Sequence, residues 1–239
     1  MQLKGHIAVH SRRTSEYEEG LRHFSKKRWD AALQSFLAVD GTGCSEEEKA
    51  DIAYFLGLCY TKLERYNDAL LYLEQVVTGN TGALRVCQCR LTLAYIYMIT
   101  RRARMAEFEL ERLIKSGFKS VQIYTMLGFS AWAQNNCDKA IEFYEQALEI
   151  DQGNSTALNG LGFILVDQNK DVKRGIELCK KAVQKKPQNA AYLDSLGWAY
   201  FKNGEINEAR NCLRHALELA PRQKEISSHM KTVLGNEAS

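Results

Sequence analysis

The sequence predicts an all-α chain of about six helix-turn-helix units in series, followed by a C-terminal capping helix. Three observations predict it. Pairs of small residues recur at a nearly fixed step along the whole chain. Apolar residues follow the second member of each pair at a helical spacing. Proline occurs only twice in 239 residues, which suits a helical chain because proline removes a backbone donor and clashes with the preceding turn.

The small residues set the register. Gly20 and Ala32, Gly57 and Ala69, Ala94 and Ala106, Gly128 and Ala140, and Gly197 and Ala209 are each twelve positions apart, and Gly162 and Gly175 are thirteen apart. The first members advance by 37, 37, 34, 34 and 35 residues, a period that marks stacked repeats. The units fall near 13–45, 46–80, 83–117, 120–153, 154–187 and 188–221.

Each unit opens with one helix and closes with a second. In the first helix, Tyr124, Leu127, Gly128 and Ala131 share a face, as do Leu193, Leu196, Gly197 and Tyr200. In the second, apolar or small residues stand four and seven positions after the second small residue: Phe36 and Val39, Leu73 and Val76, Leu110 and Leu113, Tyr144 and Ala147, Cys179 and Ala182, Leu213 and Ala216. That spacing lines one side of a helix. The small residues have a steric reason, since two antiparallel helices joined by a short turn approach closely only where one side chain is small. Short turns stand at Leu63–Tyr66, Gln134–Cys137 and Lys202–Glu205. Asp40–Cys44 reads as a loop, and Ser45 with Glu48 as a capping box opening the next helix. Pro187 and Pro221 end two second helices. Beyond 221, Ile226, Met230 and Val233 or Leu234 predict a capping helix over 222–235, which covers an end of the stack that would otherwise meet water. Residues 1–12 show no periodicity and are expected to be disordered, and 236–239 form a tail.

At these residues the chain resembles the tetratricopeptide repeat family. The resemblance is carried by Tyr192-Leu193-Asp194-Ser195-Leu196-Gly197-Trp198-Ala199-Tyr200, by Asn207-Glu208-Ala209-Arg210, and by His215-Ala216-Leu217-Glu218-Leu219-Ala220-Pro221. It is carried again by Leu127-Gly128, Ala140 to Tyr144, and Ala147 to Asp151. The Leu193–Ala199 run is similar to bacterial members. The resemblance covers about 13–221 and departs from the pattern at Glu19, at Ala94 in place of glycine, and at an inserted residue near Asn169–Lys173. It implies a right-handed superhelical solenoid whose first helices line a concave groove, and a protein-interaction scaffold or adaptor rather than an enzyme.

What this sequence adds is the chemistry of that groove. One position after each small residue stand Leu21, Leu58, Tyr95, Phe129, Phe163 and Trp198. Three positions further come Phe24, Thr61, Met98, Trp132, Val166 and Phe201; three before it come Tyr17, Tyr54, Leu91, Thr125, Asn159 and Asp194. The candidate partner-binding set is Tyr17, Leu21, Phe24, Tyr54, Leu58, Leu91, Tyr95, Met98, Phe129, Trp132, Phe163, Trp198 and Phe201. Such a stripe suits an apolar extended segment or an amphipathic helix. Three readings stay open: a peptide partner, packing of these residues between neighbouring first helices, or occupation by the chain itself. In the last, the groove holds the chain's own N-terminal segment or a second copy; as a structural subunit, the chain would instead have the groove buried in a homo-oligomer or larger complex. Some family members clamp a chaperone's C-terminal carboxylate with Lys, Asn and Arg. The matching columns here carry Tyr17, Leu21, Phe55, Thr125, Phe129 and Gly160, so that mode is not expected.

Other chemistry finds little support. Net charge is +3, short of a nucleic-acid footprint, so nucleic acid is not an expected partner. The basic stretch Lys173, Arg174, Lys180, Lys181, Lys185 and Lys186 reads as a solvated face, as does Arg101, Arg102 and Arg104; the sharper reading of both is an acidic partner or a nucleic-acid backbone. Seven cysteines, none at C-x-x-C spacing, and five histidines outside H-E-x-x-H give no metal or redox motif, and no cofactor is expected. Gly160-Leu161-Gly162 lacks the third glycine of a dinucleotide loop. Asp194 with Ser195 is the nearest catalytic candidate and reads as repeat motif. With no run of about 20 apolar residues and no signal-like N-terminus, a cytoplasmic location without a membrane span is expected.

Overall fold

A computed structural model describes residues 15–79 and 82–235. The expectations for 1–12 and for the tail 236–239 lie outside the described residues. The described chain is built of α-helices without strands. It divides into two compact units, one ending at Ile96 and one beginning at Tyr97. Each is described by itself.

The first unit holds α1 (Ser15–Ser25), α2 (Trp29–Leu37), α3 (Glu46–Lys62), α4 (Tyr66–Thr78) and most of α5 (Ala83–Ile99). Helix α1 packs on α2 and α3 on α4, with α2 against α3. The small residues do the steric work expected of them. A Cβ on Gly20 would stand 2.6 Å from a Phe36 ring carbon, and one on Gly57 would stand 2.7 Å from Leu73. Phe36 and Leu73 are nearly sealed from solvent, and burying such a side chain contributes about 1.5–3 kcal/mol. Helix α3 starts at the predicted capping box: Glu48 N donates to Ser45 Oγ at 3.2 Å and Ser45 N donates to Glu48 Oε2 at 2.8 Å.

The second unit continues with α6 (Ala103–Lys115), α7 (Val121–Ala133), α8 (Cys137–Ile150), α9 (Ser155–Asp167), α10 (Val172–Lys185), α11 (Ala190–Lys202), α12 (Ile206–Leu219) and α13 (Lys224–Gly235). Successive helices from α6 to α13 pack in sequence. Side-chain oxygens of Ser120, Asn136, Asn154, Asp171 and Asn189 accept backbone N–H groups at the starts of α7 to α11, satisfying donors that a helix leaves unpaired there. The glycine contact repeats: a Cβ on Gly128 would lie 2.8 Å from the Tyr144 ring and one on Gly197 would lie 2.7 Å from Leu213.

The inserted residue of the fifth unit has a packing consequence. The pair spaced at thirteen is glycine on both helices, and a Cβ on either Gly162 or Gly175 would come within 2.8 Å of the other's carbonyl oxygen. The longer connection is accommodated by dropping both side chains and bringing the two backbones together.

Six inter-helix turns share a left-handed residue: Lys27, Glu64, Arg101, Asn135, Asn169 and Gly204, with φ between 52° and 84°. Helix α13 caps the second unit. Ile226 and Val233 enter one cluster with Leu193, Leu213 and Ala216, Met230 packs at its edge, and Leu234 faces solvent.

Candidate functional site

In the first unit the candidate residues differ in how much surface they offer. Tyr17 is only 7% exposed. Its ring meets Phe36 and Phe55 edge-on at 5.8 and 6.2 Å, so it belongs to the core and presents almost nothing to a partner. Phe24 packs edge-on against Trp29 and Phe55 and is half-buried, as are Leu21, Leu58 and Leu91. Tyr54 Oη donates to Gln88 Oε1 at 2.9 Å, the Arg85 guanidinium stands 5.7 Å from its ring, and burial raises its phenol above the usual range. Tyr95 is exposed.

In the second unit Met98 is half-buried and Phe129 is 44% exposed. Trp132 lies between Phe129 and Phe163, with ring centroids 5.8 Å apart on each side and the Phe163 contact edge-on. These three rings come from equivalent faces of α7 and α9 and form one aromatic cluster open to solvent at Phe129. Of their column neighbours, Thr125 bonds its own helix at Gln122 O, Val166 is fully buried, and Asn159 Oδ1 is buried without a hydrogen-bond partner among the described residues.

Trp198 has other surroundings. Its Nε1 donates to Asp167 Oδ1 at 3.2 Å, and its ring stacks on His229 of α13, with centroids 4.4 Å apart and planes 22° apart. Phe201 packs against it at 5.3 Å. His229 Nδ1 stands 2.9 Å from Asp194 Oδ1. The capping helix therefore covers part of the face that carries Trp198. His229 was not among the candidate residues, although a signal existed. It stands 35 residues after Asp194, the same step that separates Gly162 from Gly197, so α13 occupies the place of a seventh first helix.

Several of the remaining polar groups are engaged structurally. Ser195 Oγ donates to Ala191 O at 3.0 Å, so it is turned away from the Asp194–His229 pair. On α10, Arg174 pairs with Glu145 at 3.0 Å and Lys180 lies over the Tyr200 ring. Burial pushes the thiols of Cys59, Cys89 and Cys179 up to about 12, leaving them protonated and unreactive at neutral pH. Among the described residues no group of three or more His, Cys, Asp or Glu could hold a metal ion, and no helix is long and apolar enough to cross a membrane. What the arrangement can do is bury another apolar surface.

Comparison with known proteins agrees with the repeat geometry. Tetratricopeptide repeat family models match residues 17–83, 125–190 and 190–223. The chain is 37% identical over 77 residues to a TPR repeat-containing protein of Pseudomonas aeruginosa, covering 32% of this chain and 13% of that protein. It is 25% identical over 187 residues to protein O-mannosyl-transferase TMTC1 of Homo sapiens, covering 76% and 21%. The chain thus spans about a fifth or less of these two relatives. Among solved structures it resembles a chain of the APC/C hetero-tetramer Cut9-Hcn1, with a TM-score of 0.71 at 13% identity over 92% of this chain and 42% of that one. It also resembles YrrB, described as a TPR protein with an unusual peptide-binding site, with a TM-score of 0.56 at 14% identity over 76% and 92%. At these identities the structural likeness concerns the fold.

Proposed function

The chain belongs to the tetratricopeptide repeat family, and from that premise we propose that it is a non-catalytic scaffold or adaptor that docks an apolar or amphipathic peptide segment on the aromatic face of its first helices. One observation carries the reading: the Phe129–Trp132–Phe163 cluster, packed ring on ring yet open to solvent at Phe129. A large aromatic left wet is a source of binding free energy, since covering it returns about 25 cal/mol per Å², and clustered rings lose little side-chain entropy when a ligand arrives. In the second unit the docking residues are Phe129, Trp132 and Phe163, with Met98 beside them in sequence register. Trp198 and Phe201 extend the same columns but lie where α13 is packed. In the first unit Leu21, Phe24, Tyr54, Leu58, Leu91 and Tyr95 occupy the corresponding columns.

The test is selection of binders from a displayed random-peptide library on the wild-type chain, followed by calorimetry with wild type, Phe129→Asp and Phe163→Asp. Selected peptides are expected to carry apolar residues at one face and to lose at least tenfold in affinity on either variant, the order expected when a buried aromatic anchor is lost. Peptides that bind both variants as tightly as wild type would remove the groove from the proposal. A concentration-dependent dimer that dissociates on Phe129→Asp would instead make the occupant a second copy of the chain.

A further inference from the structure

The face of α6 turned to solvent carries a composition that none of the other second helices in its unit shares. At helical spacing it presents Arg104, Met105, Phe108, Arg112 and Lys115, all exposed. Met105 and Phe108 remain 46% and 49% exposed. The opposite side of the same helix buries Ala106, Leu110 and Leu113, so the apolar pair is not part of the core. The repeat register makes the comparison direct. The place of Phe108 is taken by Glu142 in α8, Glu177 in α10 and Asn211 in α12, and the place of Met105 by Lys139, Arg174 and Glu208. Polar residues are the rule at these two places in the second unit, and α6 departs from it at both.

Of the cations around the pair, Lys115 has Glu111 on its own helix, whereas Arg104 and Arg112 form no ion pair among the described residues. Glu107 is committed to Lys139, with Gln134 as a second partner. Glu111, at the edge of the face, stands 4.0 Å from Lys115 and 3.9 Å from Lys139. The Arg112 guanidinium lies over the Phe108 ring, 5.4 Å from its centroid, and Arg112 is exposed. Arg101 and Arg102 add charge at the turn leading into α6. Phe108, Glu111, Arg112, Lys115 and Ser116 line an open depression.

We propose that this face of α6 is a second docking surface, independent of the aromatic groove, and that it takes an acidic peptide segment bearing one or two large apolar side chains. The charge argument selects the acid: guanidinium groups match carboxylates in bidentate geometry. The Met105–Phe108 pair selects the apolar anchor, with methionine able to reshape itself to the partner. A phosphate backbone would use the cations and leave the apolar pair wet, so the peptide is the better match to the whole face.

The probe is a synthetic helical peptide with Phe and Leu four positions apart and Glu at the flanking positions, titrated into the full chain at low and high salt. Comparison probes carry Lys for Glu, or Ser for Phe and Leu, and a single-stranded oligothymidine tests the phosphate alternative. The variants are Arg104→Glu/Arg112→Glu, Phe108→Ser, and Lys115→Glu at a side chain 77% exposed, each checked for unchanged helicity; any variant that loses helicity is set aside in favour of Lys115→Glu. The acidic peptide is expected to bind, to lose about tenfold or more in affinity on the double charge reversal and on Phe108→Ser, and to weaken with salt as screened charges do. Binding unchanged by the α6 variants, or abolished by Phe129→Asp alone, would overturn the proposal. So would equal binding of the Lys peptide, or tighter binding of oligothymidine that the α6 variants abolish.

Discussion

Tyr144 of α8 and Gly160 of α9 meet where no side chain fits between them. A Cβ on Gly160 would stand 2.4 Å from the ring Cζ of Tyr144, and the same ring closes on Gly128 of α7 at 2.8 Å. One buried tyrosine therefore fills two glycine sockets and joins three consecutive helices, and burial raises its phenol above the usual range. Gly160→Ala is expected to destabilise the chain. Overpacking costs about 1–3 kcal/mol and the better helix propensity of alanine returns about 1 kcal/mol, for a net loss of up to about 2 kcal/mol. In a Tyr144→Leu background the same substitution should cost little. A denaturant-melt double-mutant cycle measures this, and equal costs in both backgrounds would show that Tyr144 is not what the glycine accommodates.

Much of this fold is legible in the spacing of its small residues, because close approach of two helices demands a missing side chain at a fixed register. The Gly20–Phe36 and Gly57–Leu73 contacts join residues already singled out for that spacing. Gly160 shows what spacing misses. It falls outside the paired register, and only the orientation of the Tyr144 ring reveals its use. The column one position after the small residues is uniformly large and apolar in sequence, yet Phe129 is wet and Trp198 is partly covered by His229, while Tyr17 of the next column is core. Those differences are set by neighbours on other helices, which a single column cannot show. The apolar spacing of α13 marks Ile226, Met230 and Val233 and carries no sign of His229, whose partners Trp198 and Asp194 lie on α11.

The left-handed turn residues carry strain that composition hides, since the six equivalent positions hold Lys, Glu, Arg, Asn, Asn and Gly. Only glycine is free of a Cβ penalty there, about 1–2 kcal/mol, offset by its greater entropy loss of about 0.5–1 kcal/mol. Glu64→Gly, at φ 59°, is expected to raise stability by up to about 1.5 kcal/mol. Asn135→Gly should change it less, because asparagine tolerates this region. Shifts in denaturant midpoint at constant slope test both, and a destabilised Glu64→Gly would mean the side chain contributes something the turn geometry does not show.

Glu107 gives the acid limb of the stability curve a local cause. Burial alone would push its carboxyl up, but hydrogen bonds from Lys139 and Gln134 and the Lys139 charge outweigh it and hold the carboxyl below its usual value of 4.5. A lowered carboxyl contributes stability that is fully present above the unfolded-state value and lost as pH falls through the folded one. Glu107→Gln is therefore expected to cost about 1–2 kcal/mol at neutral pH and to cost progressively less as the medium is acidified below pH 4.5. A pH-independent cost would assign the effect to packing rather than to charge.

The stack of His229 on Trp198 predicts how the last helix is held. Asp194 is 9% exposed, and a buried carboxylate left without its partner is costly. His229→Ala removes both the hydrogen bond at 2.9 Å and the ring contact at 4.4 Å. The expected loss is about 2 kcal/mol, expressed as faster amide exchange in 224–235 with little change in α7 to α10, since a terminal helix can open without the rest. His229→Asn keeps a donor but not the stack and should recover only part. If α13 exchanges at wild-type rates in His229→Ala, then Ile226 and Val233 alone hold it. If instead α13 is released and Trp198 becomes accessible, peptides bound on the Phe129–Phe163 surface should gain affinity in His229→Ala, because a longer aromatic face is then open to them.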